Sequence, residues 1–155
     1  MKNIAFINCT GMNRYALEPL PSGKTAFASV IAAARALPDV DRIVILCREP
    51  LADFEGFTVI SGIDWTMKAL VETFIRESGG YDSLFYCYGD TPFLDPALSA
   101  KMYGNHNKYF AQYTFADGYP GGLAPEILSV QVLPLLERLA PEEPLPESRG
   151  ELFAV

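Results

Sequence analysis

The sequence predicts an α/β fold, a three-layer αβα sandwich around a mostly parallel sheet. Three observations predict it. Short runs such as Ile4-Ala5-Phe6-Ile7 and Ile43-Val44-Ile45-Leu46-Cys47 are apolar throughout, as in strands covered on both faces. Stretches of helical periodicity stand between these runs, giving the order strand, helix, strand, strand, helix, strand. The chain has 155 residues, 50% apolar and 20% charged, which suits one domain with a sizeable core. Residues 1–140 read as that domain, and 141–155 as a linker or the start of a following segment.

Each element has its own local cause. Ile4 to Asn8 is the first strand, and a loop rich in Gly, Pro and polar residues follows from Cys9 to Gly23. Thr25 to Leu37 is a helix with Phe27, Val30, Ile31 and Ala34 on one face, stopped by Pro38. Arg42 to Cys47 is the second strand and Phe57 to Ile60 a shorter third. Asp64 is placed to cap a helix from Trp65 to Glu77, with Trp65, Leu70, Phe74 and Ile75 toward the core and Gly79-Gly80 ending it. Ser83 to Cys87 is the fourth strand, and Pro96 to Met102 a short helix. Tyr109 to Phe115 alternates partly and is rich in aromatics, which predicts a further strand. Leu128 to Leu139 reads as helical, with Pro134 as a kink or a first-turn residue. The acidic, Pro-rich stretch from Pro141 to Ser148 reads as a linker, and the apolar Leu152-Phe153-Ala154-Val155 after it fits a fragment of something longer.

Composition excludes several classes. A formal net charge of -7 argues against nonspecific binding to nucleic acid or to an acidic membrane. The sequence has one histidine, His106, and its three cysteines, Cys9, Cys47 and Cys87, are far apart with no CxxC, so no zinc set is offered. Buried free thiols, a start too short in apolar residues for a signal peptide and no stretch of membrane-spanning length predict a soluble cytoplasmic protein.

The chemistry-bearing segments fall in loops. Tyr88-Gly89-Asp90-Thr91-Pro92 follows the fourth strand, and a carboxylate at that edge of an open sheet stands where such sheets bind ligands. Asp90 either holds a hard divalent cation against phosphate oxygens or starts a turn, with Asp95 capping the next helix. Gly23-Lys24-Thr25 resembles the end of a P-loop, but the required earlier glycine is Glu18, and Pro19 and Pro21 remove amide donors. A Walker A site is therefore rejected. Lys24 either attracts an anion at the helix start or is a solvated lysine. The loop Cys9-Thr10-Gly11-Met12-Asn13-Arg14 either lets a nucleotide approach its backbone or only connects elements. Gly118-Tyr119-Pro120-Gly121-Gly122-Leu123-Ala124-Pro125-Glu126 is either a wall of a sugar or nucleotide pocket or a structural turn.

In their order along the chain these segments resemble the nucleotide-diphospho-sugar transferase (GT-A-like) superfamily. Within it they are similar to the cytidylyltransferases that activate sugar acids and to their spore-coat-polysaccharide relatives. The resemblance implies a nucleotidyltransferase-type fold that binds a nucleoside triphosphate or nucleotide-sugar with Mg2+. It implies metal binding and catalysis at Asp90, with Lys24 as its catalytic partner. It implies nucleotide contacts at Asn8, Thr10, Gly11, Arg14 and Gly89, and substrate contacts at Tyr119, Gly122 and Glu126. The chain departs from the family pattern in a shortened signature loop, where Arg14 and Lys24 are the remaining cations, and in Ala124 where the family has a carboxylate. Nothing matches the family's second metal-binding Asp. The departures favour the alternative of a noncatalytic nucleotide-sugar or partner-binding module. Gly122-Leu123-Ala124-Pro125-Glu126 also resembles the N-terminal part of spiro-SPASM proteins, which implies a C-terminal radical-SAM catalytic domain in a full-length chain.

Overall fold

A computed structural model of the chain describes residues 1–146 and 152–153. In chain order the elements are β1 (Asn3–Asn8), α1 (Ala26–Arg35), β2 (Val40–Leu46), β3 (Thr58–Ile60), α2 (Met67–Glu77), β4 (Ser83–Tyr88), α3 (Pro96–Lys108), β5 (Tyr113–Thr114), β6 (Glu126–Ser129) and α4 (Leu133–Leu139). The strands form one sheet in the order β3-β2-β1-β4-β6-β5. β1 is parallel to both β2 and β4, and β2 is parallel to β3. The pairs β4–β6 and β5–β6 are antiparallel. The expected α/β sandwich with a mostly parallel sheet is the fold of this chain.

The unbroken apolar runs have the cause their sequence implied. Every residue of β1 is buried, because helices cover both faces. Ala5, Ile7, Ile45, Phe85 and Cys87 pack with Phe27, Val30 and Ile31 of α1 and Met102 and Tyr103 of α3. The alternate residues Ile4, Phe6, Val44, Leu84 and Tyr86 pack with Leu70, Val71 and Phe74 of α2 and Leu133 of α4. On this second face the Phe6 and Phe74 rings lie 4.6 Å apart and Phe74 and Tyr86 5.6 Å apart. Each fully buried ring or branched side chain of this kind contributes roughly 1.5–3 kcal/mol.

Several expectations are corrected. Thr66, not Asp64, caps α2: its hydroxyl accepts from the Ala69 N–H at 3.1 Å. Trp65 stays outside the helix, where its indole N–H donates to the Cys47 carbonyl at 2.9 Å. α3 runs six residues past Met102, to Lys108, because Ser99, Met102, Tyr103 and His106 continue one buried face. The strand expected from Tyr109 to Phe115 shrinks to Tyr113–Thr114. Phe110 has a φ of 51° and closes the helix end. The helix expected from Leu128 starts at Leu133, since Glu126–Ser129 pair with β4 and a 3-10 turn, Val130–Val132, intervenes. Pro134 is a first-turn residue. The loop expected from Cys9 to Gly23 contains a 3-10 turn, Arg14–Leu17. The stretch read as a linker lies, over its described part, against α2: the Met67 and Lys68 N–H groups donate to the Glu143 and Pro141 carbonyls at 3.0 and 3.2 Å. Phe153 is buried among Phe74, Tyr86 and Tyr113. No helix among the described residues is long and apolar enough to cross a membrane.

His106 gives the fold a pH dependence. Burial lowers its pKa below the ordinary 6.5, and its Nδ1 lies 2.7 Å from Thr114 Oγ1. The folded chain therefore holds a neutral imidazole while the unfolded chain takes up the proton first. The contribution is complete above about pH 6.5 and lost as pH falls below it, with a slope of at most about 1.4 kcal/mol per pH unit. Urea midpoints measured from pH 7 to 5 fall more steeply in the native chain than in His106→Gln.

Candidate functional site

The chain leaves β1 toward β2 on one side and places β4 on the other, so the strand order reverses between β1 and β4. Open α/β sheets bind ligands outside the carboxyl ends of the strands at this point. Asn8 and Tyr88 end the two strands and lie opposite each other in register. The loops that follow them form the site.

Asn8 organises the first loop. Its amide Nδ2 donates to the Tyr86 hydroxyl at 2.7 Å, and its Oδ1 accepts from the Thr10 N–H at 2.8 Å. The Cys9 N–H donates to the Leu46 carbonyl at 2.7 Å, and the Gly89 N–H to the Asn8 carbonyl at 3.1 Å. The second loop meets the first at Asp90, whose Oδ2 accepts from the Asn13 N–H at 2.9 Å. Gly89 is required by close packing: a Cβ there would fall 2.5 Å from Cys9 Sγ and 3.0 Å from Met12 Sδ. Burial raises the Cys87 thiol to about 12, so the thiol is structural. Asp95 caps α3, its Oδ1 accepting from the Ala97 and Leu98 N–H groups at 2.8 and 3.3 Å.

A crevice of about 790 Å³ opens over these loops, with Asn8, Thr10, Gly11 and Asp90 in its lining. Arg48, at the end of β2, lines the same crevice, and its Nε donates to the Thr10 carbonyl at 2.9 Å. Trp65 and the prolines Pro144 and Pro146 also line the crevice. A smaller hollow of about 180 Å³ lies across the β4 end. Tyr86, Phe115, Tyr119, Gly122 and Glu126 line it, and Tyr88 and Thr91 border both hollows. Gly122 has a φ of 90°, and a Cβ there would fall 2.7 Å from Thr91 Cγ2. Glu126 is buried, and its Oε1 accepts from the Tyr113 hydroxyl and the Leu152 N–H.

The residues singled out by sequence thus divide. Asn8, Thr10, Gly11 and Asp90 come together in the crevice, with Gly89 packed beneath it; Tyr119, Gly122 and Glu126 come together in the smaller hollow. Arg14 and Lys24 line neither. Arg14 donates to the Tyr15 hydroxyl at 2.8 Å with its guanidinium over that ring, and Lys24 is exposed at the loop before α1. Sequence reasoning missed Arg48. Its signal was its place, one residue past the apolar run of a parallel strand.

The open sheet, its reversed strand order and the loops beyond β1 and β4 define a nucleotidyltransferase-like α/β domain. The chain belongs to the MobA-like NTP transferase domain family, whose model matches residues 12–151. An uncharacterized protein of Treponema pallidum (strain Nichols) is 28% identical, over 75% of this chain and 62% of its own. The chain thus spans less than two thirds of that relative. Among solved structures, Rv0371c of Mycobacterium tuberculosis H37Rv superposes with a TM-score of 0.67 at 15% identity, over 92% of this chain and 78% of its own. It has also been solved in complex with manganese. A cytidylyltransferase of Leptospira borgpetersenii gives 0.64 at 15% identity, over 89% and 63%. A CMP:2-keto-3-deoxy-manno-octonic acid synthetase complexed with CTP gives 0.59 at 16%, over 96% and 80%. At these identities the likeness is one of fold.

The packing at the β4 end is directly testable. Gly89→Ala is expected to cost roughly 1–3 kcal/mol, as overpacking does, read as a lower urea midpoint. Gly11→Ala meets nothing within 4 Å and is expected to stay within about 0.5 kcal/mol of the parent.

Proposed function

We propose that the domain binds a nucleoside triphosphate in the crevice and transfers its nucleotidyl group to an acceptor seated in the smaller hollow. One observation carries the reading: two hollows share Tyr88 and Thr91, with Asp90 between those residues in sequence and lining the larger one. An acceptor oxygen would attack the α-phosphorus as the bond to the β-phosphate oxygen breaks and pyrophosphate leaves. The Arg48 guanidinium would pair with phosphate oxygens, a geometry suited to its planar donors. The Thr10 and Gly11 backbone would border the nucleotide, and the Trp65 ring and the prolines would exclude water from one side.

The Asp90 carboxylate fits a hard divalent cation such as Mg2+, which commonly uses one or two protein carboxylates and completes its shell with water and substrate phosphates. Among the described residues no three His, Cys, Asp or Glu side chains come together as a metal cluster. When bound, the cation would offset the charge that develops on the phosphates. The buried thiols of Cys47 and Cys87 support a cytoplasmic setting.

A second reading has its own support. Ala124 stands where the resembling family carries a carboxylate. A domain with one acidic metal ligand could bind nucleotide or nucleotide-sugar without turnover and serve a larger protein, as the spiro-SPASM likeness implies.

Titrations with CTP, UTP, GTP and ATP, with and without Mg2+, test the proposal, together with pyrophosphate release on adding candidate sugars. Asp90→Asn is expected to remove metal-dependent binding. Arg48→Ala is expected to weaken binding about tenfold, the equivalent of one charge-assisted contact. Lys24→Ala and Arg14→Ala, measured alongside, decide whether the cations outside the crevice reach the phosphates. No nucleotide binding at all overturns the proposal, and binding without pyrophosphate release selects the second reading.

A further inference from the structure

We propose that a third hollow, at the end of the sheet opposite the crevice, binds the ring of a neutral sugar, either as a free monosaccharide or as one unit of a glycan. The inference is independent of the proposed function and uses residues that line neither of the other two hollows.

The hollow has about 430 Å³, within the roughly 300–1,000 Å³ of small-molecule sites. β4 begins there and β6 ends there, with Ser83 and Ser129 opposite each other in register. Side chains alternate along a strand. Phe85 and Ile127, two positions along from the serines, pack toward α1 and α3, so both serines lie on that face. His106 of α3 lines the same space. It is 3% exposed, and Ser83 is 4% exposed. The His106 Nδ1 lies 2.7 Å from Thr114 Oγ1, while its Nε2 and both serine hydroxyls have no hydrogen-bond partner among the described residues. Polar groups so deeply placed are ordinarily partnered, and a ligand in the hollow would supply the partners. The amides of Asn107 and Gln131 also line it.

Phe110 lines the same hollow and is 89% exposed. Its φ of 51° falls in the left-handed region that a bulky residue rarely enters, at a helix end where glycine is usual. A large ring kept in a strained place, with little packing inside the chain, marks a functional position.

These groups fit a sugar ring. Sugar hydroxyls both donate and accept, and so do serine hydroxyls and carboxamides. The C–H face of a sugar covers an aromatic ring and removes apolar surface from water. A nucleobase carries its donors and acceptors along its edges and would leave most of this lining unpaired. An apolar ligand would bury the serines and the imidazole without partners, which costs binding.

The test uses two built-in reporters. His106 and Trp65 are the single histidine and the single tryptophan of the chain. In NMR spectra the His106 ring C–H reports on this hollow and the Trp65 indole N–H on the crevice. The full chain, without nucleotide, is titrated with the methyl glycosides of glucose, galactose, mannose and N-acetylglucosamine, with maltose and chitobiose, and with adenosine, cytidine and a neutral tripeptide amide. At least one sugar is expected to shift the His106 signal saturably and leave Trp65 in place. Tighter binding of the disaccharide identifies a glycan as the source, and equal binding a free sugar. Ser129→Ala is expected to weaken that binding about fivefold, the equivalent of one hydrogen bond. Phe110→Gly is expected to weaken it as much while raising the urea midpoint, since glycine takes a positive φ without strain. If Phe110→Gly fails to fold, Ser129→Ala decides. No sugar shifting His106, a response at Trp65 alone, a nucleoside or the peptide binding here more tightly than every sugar, or parent-like binding in either folded variant overturns the inference.

Discussion

The buried side-chain amide of Asn8 is the constraint on which the rim of the sheet depends. It bonds across to Tyr86 of β4 and along the chain to Thr10. The first bond fixes the neighbouring strand, and the second turns the loop that borders the crevice. A leucine at this place would leave the buried Tyr86 hydroxyl without that donor, and an unsatisfied buried polar group costs about 1–3 kcal/mol. The Tyr86 hydroxyl is itself pushed well above its ordinary pKa by burial and by the neighbouring Tyr88, so it stays a neutral phenol that can accept from the amide. One side chain thus joins the core to both hollows.

Electrostatics at the rim is local. The whole chain is acidic, at -7, so an anionic ligand gains nothing from the overall field. Arg48 supplies positive charge to the crevice, while Asp90 stands in the same lining. A triphosphate and a divalent cation balance those two groups better than either would alone. The smaller hollow is lined largely by aromatic rings, with Glu126 among them. Tyr88 and Thr91 border both hollows, and Gly122 lets the outer loop close against Thr91.

The central strands were legible because burial on both faces forces continuous apolar runs, and the end of such a run locates the rim. Asp90 follows the β4 run and Arg48 the β2 run, and both line the crevice, whereas the cations near glycines in sequence, Arg14 and Lys24, line neither hollow. The antiparallel β5 and β6 were poorly legible for a physical reason. Tyr113 and Thr114 gain strand geometry from pairing with Ile127 and Leu128, a tertiary contact that no local pattern encodes. The length of α3 was hidden by Gly104, Asn105 and Asn107, weak helix formers that the buried Met102, Tyr103 and His106 hold in place.

The C-terminal segment shows how composition can mislead. Proline and acid density reads as solvated linker, yet the same residues suit a fixed wall. Proline has little backbone freedom to lose and no N–H to satisfy. Thr66 pairs with Pro144, and the Leu145 N–H donates to the Trp65 carbonyl at 3.4 Å. Further on, the Leu152 N–H reaches Glu126 and Phe153 fills the space beside Phe74 and Tyr86. The segment therefore contributes a wall to the crevice and a hydrogen-bond donor to the floor of the smaller hollow. Both hollows take their shape from residues far apart in sequence, and for that reason neither could be drawn from motifs alone.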